Sequence, residues 1–112
     1  MNANLINIDS LEALDALFAD SHTAPVVLFK HSTTCGISSG VLQEISSVNG
    51  DIHMIILQTH RPLSNEIAAR TGIRHESPQA IVIRNGQPVY SASHYDIEAK
   101  DLEMHLAVDV LA

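Results

Sequence analysis

A single cysteine, Cys35, stands among 112 residues, with serine three positions on in the run Cys35-Gly36-Ile37-Ser38. A thiol reacts as its thiolate, and a reference thiol pKa of about 8.5 falls where the free N–H groups of a helix start point at the sulfur. In a Cys-x-x-Cys arrangement the second thiol resolves a mixed disulfide internally. Ser38 occupies that place, and with one cysteine in the sequence no intramolecular disulfide can form. Any thiol–disulfide chemistry is therefore monothiol: Cys35 attacks a mixed disulfide, keeps one partner as an adduct, and is restored by an external thiol. The hydroxyls of Thr33, Thr34 and Ser38 and the ammonium of Lys30 lie close by in sequence, and His31 adds charge when protonated. The competing reading is an inert packed side chain, because free cysteine is among the most buried residue types. A polar run at a predicted helix start favours the reactive one.

Two further features bear on chemistry. Ser77-Pro78 immediately precedes an apolar run, and without other information its peptide bond is expected to be trans, since only about 5–6% of X–Pro bonds in folded proteins are cis. The seven histidines, His22, His31, His53, His60, His75, His94 and His105, are scattered and none pair at i, i+4, so no metal site is expected. His75 beside Glu76 near the proline, His94, and the nearby His31 are retained as accessory candidates.

The elements that must position Cys35 follow from hydrophobic period. Leu5 to Ile8 reads as a short strand or a lead-in. Asp9, with Glu12 at the reciprocal position, is expected to cap a first helix whose Leu11, Leu14, Leu17 and Phe18 share a face. Val26 to Phe29 is continuously apolar, as a central strand covered on both faces should be. Lys30 to Thr34 reads as a polar turn. A second helix begins near Cys35, carries Ile37, Val41, Leu42, Ile45 and Val48, and ends at Asn49-Gly50-Asp51. Ile52 to Gln58 is the next strand. A short helix follows, with Pro62 in its first turn and Gly72 as a left-handed cap. Ala80 to Ile83 and Pro88 to Tyr90 flank Asn85-Gly86, the strongest short hairpin signal. Ser93 or Asp96 is expected to cap a last helix bearing Ile97, Leu102, Met104, Leu106 and Val110. This order predicts an α/β domain spanning 1–112, with a mixed central sheet of four strands, or five if the lead-in pairs, and helices on both faces. Cys35 then sits where the carboxyl end of a central strand meets a helix, the place where open α/β sheets put their sites.

Composition narrows the partners. Six basic and thirteen acidic residues give a formal charge of −7, and no two Lys or Arg are adjacent, so phosphate backbones and anionic membranes are disfavoured. The longest apolar runs have four residues, far short of the roughly 20 that span a bilayer. No secretory signal is visible at the start. A cytoplasmic protein is the expectation, and an unpaired cysteine suits a reducing compartment.

Five segments in order carry a family resemblance: Phe29-Lys30-His31-Ser32-Thr33-Thr34-Cys35 with Ile37-Ser38; Arg61-Pro62-Leu63-Ser64-Asn65-Glu66-Ile67-Ala68; His75-Glu76-Ser77-Pro78-Gln79-Ala80; and Ser93-His94-Tyr95-Asp96-Ile97. Together they resemble the monothiol bacilliredoxin family, bacillithiol-system proteins of the YtxJ type within the thioredoxin superfamily. The resemblance covers about residues 5 to 106. It implies a thioredoxin-like three-layer sandwich in which Cys35 is the nucleophile that removes bacillithiol from protein mixed disulfides. The thiolate environment is then Thr34, Gly36, Ile37, Ser38 and Lys30, and Pro78 is a cis-proline beside Ser77, whose backbone hydrogen-bonds a bound chain. Arg61 and Arg74 are read first as solvated surface residues, with paired hydrogen bonds to the carboxylates of a bacillithiol malate group as the alternative. No cofactor is tightly bound; bacillithiol is a co-substrate, S-thiolated proteins are clients, and an external thiol is the reductant. The family pattern has proline after the cysteine, whereas this chain has Gly36, which changes the turn and the N–H groups near sulfur. That departure brings the motif close to the Cys-Gly-Phe-Ser of monothiol glutaredoxins, which implies an alternative: a [2Fe–2S] cluster shared between two subunits with a thiol cofactor. A third reading is a redox-inactive interaction module of the same fold.

Overall fold

Residues 3–107 are described by a computed structural model. Strand β1 (Asn4–Asn7) and helix α1 (Leu11–Asp20) precede β2 (Val26–His31) and α2 (Gly36–Ile45). Then come β3 (Asp51–Ile56), α3 (Arg61–Thr71), the hairpin strands β4 (Gln79–Arg84) and β5 (Gln87–Ser93), and α4 (Ala99–Ala107). The five strands form one sheet in the order β1-β3-β2-β4-β5. Strand β3 is parallel to β1 and β2, while β4 is antiparallel to β2 and β5. The amino-terminal lead-in is thus a true edge strand.

Alternation along the strands divides the core in two. Val27, Phe29, Ile52, Ala80 and Val82 pack with Val41 and Ile45 of α2 and Leu102 of α4. Leu28, Ile55, Ile81 and Ile83 pack with Leu14 and Leu17 of α1 and with Leu63 and Ile67 of α3. Each Val, Leu, Ile or Phe among them contributes roughly 1.5–3 kcal/mol on leaving water, so both helical layers are needed. The central strand β2 therefore sends odd residues toward α2 and α4 and even residues toward α1 and α3.

The hairpin turns on Asn85 and Gly86 at φ 55° and 75°, and Gly72 closes α3 at φ 72°, as expected. Five boundaries depart from the sequence reading, among them the end of β3, which stops at Ile56 where the chain enters a turn, two residues short of Gln58. Ser10, not Asp9, caps α1: its Oγ accepts the Ala13 N–H at 3.0 Å. The capping bond spans three residues, so Asp9 lies one too early and Glu12 falls at the second helical position. Strand β2 runs on through Lys30 and His31, both buried, where a polar turn was expected. Helix α2 ends at Ile45, short of Asn49, although Val48 is fully buried. Ser93 opens only a single 3-10 turn, His94–Asp96, because His94 has φ 56° and cannot continue into a right-handed helix. Helix α4 starts at Ala99, whose N–H donates to the Glu44 carboxylate of α2 at 3.0 Å. Leu11 and Met104, read as apolar-face residues, are exposed, and Val110 lies outside the described residues. Among the described residues no helix is long and apolar enough to cross a membrane.

Candidate active site

Cys35 is the N-cap residue of α2, with extended backbone at φ −104° and ψ 122° and no capping hydrogen bond from its side chain. It is free and half-buried. Its carbonyl accepts the Ser39 N–H at 3.1 Å, as an N-cap carbonyl should, while its own N–H reaches the Ser32 carbonyl at 3.4 Å. The N-cap is the position from which a short side chain reaches the unpaired N–H groups of the first turn.

Ser38 is fully buried and turned away from that role. Its Oγ accepts the Ser32 N–H at 3.0 Å and lies 2.7 Å from Nδ1 of His31. The hydroxyl thus ties the end of β2 to the first turn of α2. His31 stacks on Phe29 with ring centroids 5.7 Å apart, and burial holds its pKa below the usual imidazole value. Gly36, the first helical residue, is exposed, and a Cβ added there would meet nothing within 4 Å. Ile37 is half-buried against the α2/α4 core.

The loop between β2 and Cys35 is held from outside by a residue that motif reading did not single out. Gln58, two residues past β3, accepts the Thr33 N–H at 3.2 Å and donates to Ser32 Oγ at 2.8 Å and Thr34 Oγ1 at 3.1 Å.

Strand pairing brings the second expected feature to the same end of the sheet. Lys30 pairs with Gln79 across the β2–β4 ladder; the Cys35 loop follows the former and Pro78 immediately precedes the latter. The Ser77-Pro78 peptide bond is cis. The Pro78 carbonyl accepts the His94 N–H at 3.0 Å, and the 94–96 turn packs against α2. Cys35, Pro78 and the backbone of His94 therefore belong to one cluster of loops.

Lys30 faces the opposite layer. It is 1% exposed, its Nζ lies 3.2 Å from Nδ1 of His75, and Ser64 Oγ of α3 lies 3.0 Å from the same nitrogen. An ammonium can only donate, so Nδ1 accepts and the His75 proton sits on Nε2. Burial pushes the Lys30 pKa down to about 8. Burial, then the charges of Lys30 and Arg61, push His75 down against the smaller opposing pull of Glu76. This trio, with Lys30 and Ser64 buried and His75 half-buried, ties β2 and α3 to the loop that carries Pro78. Gln79 completes it by donating from Nε2 to the Arg74 carbonyl at 2.9 Å; its Oε1 and the Ser77 Oγ are buried without a partner among the described residues. Arg61 is the exposed first residue of α3. Among the described residues no hydrogen bond joins Lys30, His31, Ser38 or Arg61 to the Cys35 side chain; Lys30 engages His75, and Ser38 engages His31 and the Ser32 N–H. Ser64 and His75 both lie in segments that carry the family resemblance, but nothing local in the sequence pairs them.

The sequence profile of monothiol bacilliredoxin BrxC matches residues 6–102. A solved structure described as a candidate oxidoreductase with a thioredoxin fold is 30% identical, with a TM-score of 0.82 over 90% of this chain and 92% of its own. Thioredoxin from Trypanosoma brucei brucei superposes with a TM-score of 0.74 at 10% identity, covering 97% and 93% of the two chains. Thioredoxin from Fasciola hepatica gives 0.67 at 12%, covering 96% and 98%. The latter two establish the fold alone. The lone thiol at a helix start and the profile match converge: the chain belongs to the monothiol bacilliredoxin family and is a thiol–disulfide oxidoreductase of thioredoxin fold.

Proposed function

We propose that Cys35 removes bacillithiol, or a similar low-molecular-weight thiol, from mixed disulfides on client proteins. The observation that carries this reading is the free Cys35 at the N-cap of α2, at the end of the sheet where the β2–β4 register also brings Ser77 and Pro78. A helix start favours negative charge on the group placed there, which suits an attacking sulfur anion. The Cys35 thiolate attacks the small-thiol sulfur, a new S–S bond forms, the old one breaks, and the electron pair leaves on the client's sulfur, which then takes a proton. A second, external thiol attacks the adduct and restores Cys35. Ser38 cannot intervene, because it has no sulfur and its hydroxyl is committed to His31 and Ser32. Bacillithiol is on this reading a co-substrate, with Arg61 and Ser77 as candidate contacts for it and for the client backbone. The clients are S-thiolated proteins, and the cytoplasm supplies the reduced thiol that turnover requires.

Incubating the reduced protein with an S-bacillithiolated client tests this by intact mass. The protein gains one bacillithiol mass and the client loses it. Cys35→Ser abolishes both changes. Transfer retained by Cys35→Ser overturns the assignment. The same assay with other thiolated clients ranks the small thiol by rate.

A further inference from the structure

Gln58 lies beyond the end of β3 and is exposed, yet its single amide engages three consecutive residues of the loop that leads into Cys35. The orientation of that amide follows from chemistry. The Thr33 backbone N–H can only donate, so the atom facing it is the carbonyl oxygen, and the NH2 group is left for the two hydroxyls. Ser32 Oγ and Thr34 Oγ1 each accept from it, so neither hydroxyl proton points toward Gln58. The two oxygens are 3.4 Å apart, close enough to share one proton between them. The other proton has no acceptor among the described residues, and it lies in a pair of residues that ends one peptide bond from Cys35.

We propose that Gln58 is a positioning residue for thiol–disulfide exchange: it holds the Ser32 and Thr34 hydroxyls so that one O–H is directed at the thiolate departing from Cys35's target. The inference rests on the reading of Cys35 as the nucleophile. In the step it assists, the Cys35 sulfur anion forms a bond to one sulfur of the disulfide, the existing S–S bond breaks, and the other sulfur leaves with the electron pair. A hydroxyl donor aimed at that sulfur stabilises the charge that accumulates on it. Glutamine is suited to the task because it both accepts the loop N–H and donates to the hydroxyls, which an acid of the same length cannot do.

The test compares stopped-flow rates with two disulfides: an aromatic one, whose released thiolate is a weak base, and an alkyl one, whose thiolate holds its charge tightly. Gln58→Glu keeps an acceptor for the Thr33 N–H and draws both hydroxyl protons toward its carboxylate. Hydrogen exchange at the Thr33 amide should stay protected while the rate falls. The Ser32→Ala, Thr34→Val double variant removes the hydroxyls without adding charge. In both, exchange with the alkyl disulfide should slow about tenfold, the effect of one hydrogen bond to a charged group, and the aromatic reaction should slow less. Equal slowing of the two disulfides, or wild-type rates in either variant, would overturn the proposal. If the wild type reacts with neither disulfide faster than Cys35→Ser does, the reading of Cys35 itself fails.

Discussion

Lys30 offers a direct measurement of how the site is supported. Its ammonium is 1% exposed and its side-chain partner is the neutral His75, so folding removes a charge from water without supplying an anion. The folded pKa is about 8 against an ordinary 10.5. Between those values the unfolded chain holds the extra proton, so stability rises with pH across that window. At about 1.36 kcal/mol per pKa unit the full gain is about 3.4 kcal/mol, of which about 2.5 kcal/mol is realised between pH 7 and pH 10. Lys30→Met keeps most of the side-chain volume and cannot titrate. Urea unfolding of both proteins at pH 7, 8.5 and 10 should show Lys30→Met losing about 2.5 kcal/mol relative to the wild type as pH rises. Tyr90, whose pKa burial raises, works in the opposite sense near the top of the range, but it is common to both chains and cancels in the difference. Two pH curves that run parallel from 7 to 10 would refute the reasoning, because they would mean that Lys30 titrates in the folded protein as it does in water.

Three other outcomes follow from the geometry. Ser38→Ala should destabilise the protein by about 1–3 kcal/mol in urea unfolding, because the part-buried Ser32 N–H and the buried His31 Nδ1 lose their shared partner. Gly36→Pro should raise stability by about 0.5–1 kcal/mol: the position is the first of α2, a Cβ meets nothing, and Cys35 already has the extended backbone that a following proline demands. Loss of stability on the same assay would show that the Gly36 N–H is needed. His94→Gly should raise the unfolding midpoint, by about 1 kcal/mol in free energy, since only glycine adopts φ 56° without crowding its Cβ. An unchanged or lowered midpoint would mean that the imidazole makes contacts worth more than the strain.

Much of this arrangement was legible in the chain. Cys35 at a helix start, the Asn85-Gly86 hairpin and the Gly72 cap are local patterns whose physics is contained in a few neighbouring residues. The burial of Lys30 was not, because a lysine beside a histidine reads as a solvated turn, and only the distant Ser64 and His75 make the strand's continuation tolerable. Gln58 carries no local signal either: its three partners lie 24 to 26 residues away and meet it only because β2 and β3 are neighbours. The cap of α4 was misplaced for the same reason, since the group that receives Ala99 is a carboxylate on α2. Local propensity locates elements; contacts between elements decide what the polar residues at their ends do.

The buried Ser38 has a consequence for evolution. In a chain where position 38 were exposed and idle, a single substitution to cysteine would install an internal resolving thiol. Here that change would replace an oxygen seated between a backbone N–H and an imidazole with a larger, weaker acceptor. The route to dithiol chemistry therefore passes through a less stable intermediate, and dependence on an outside thiol is maintained by packing.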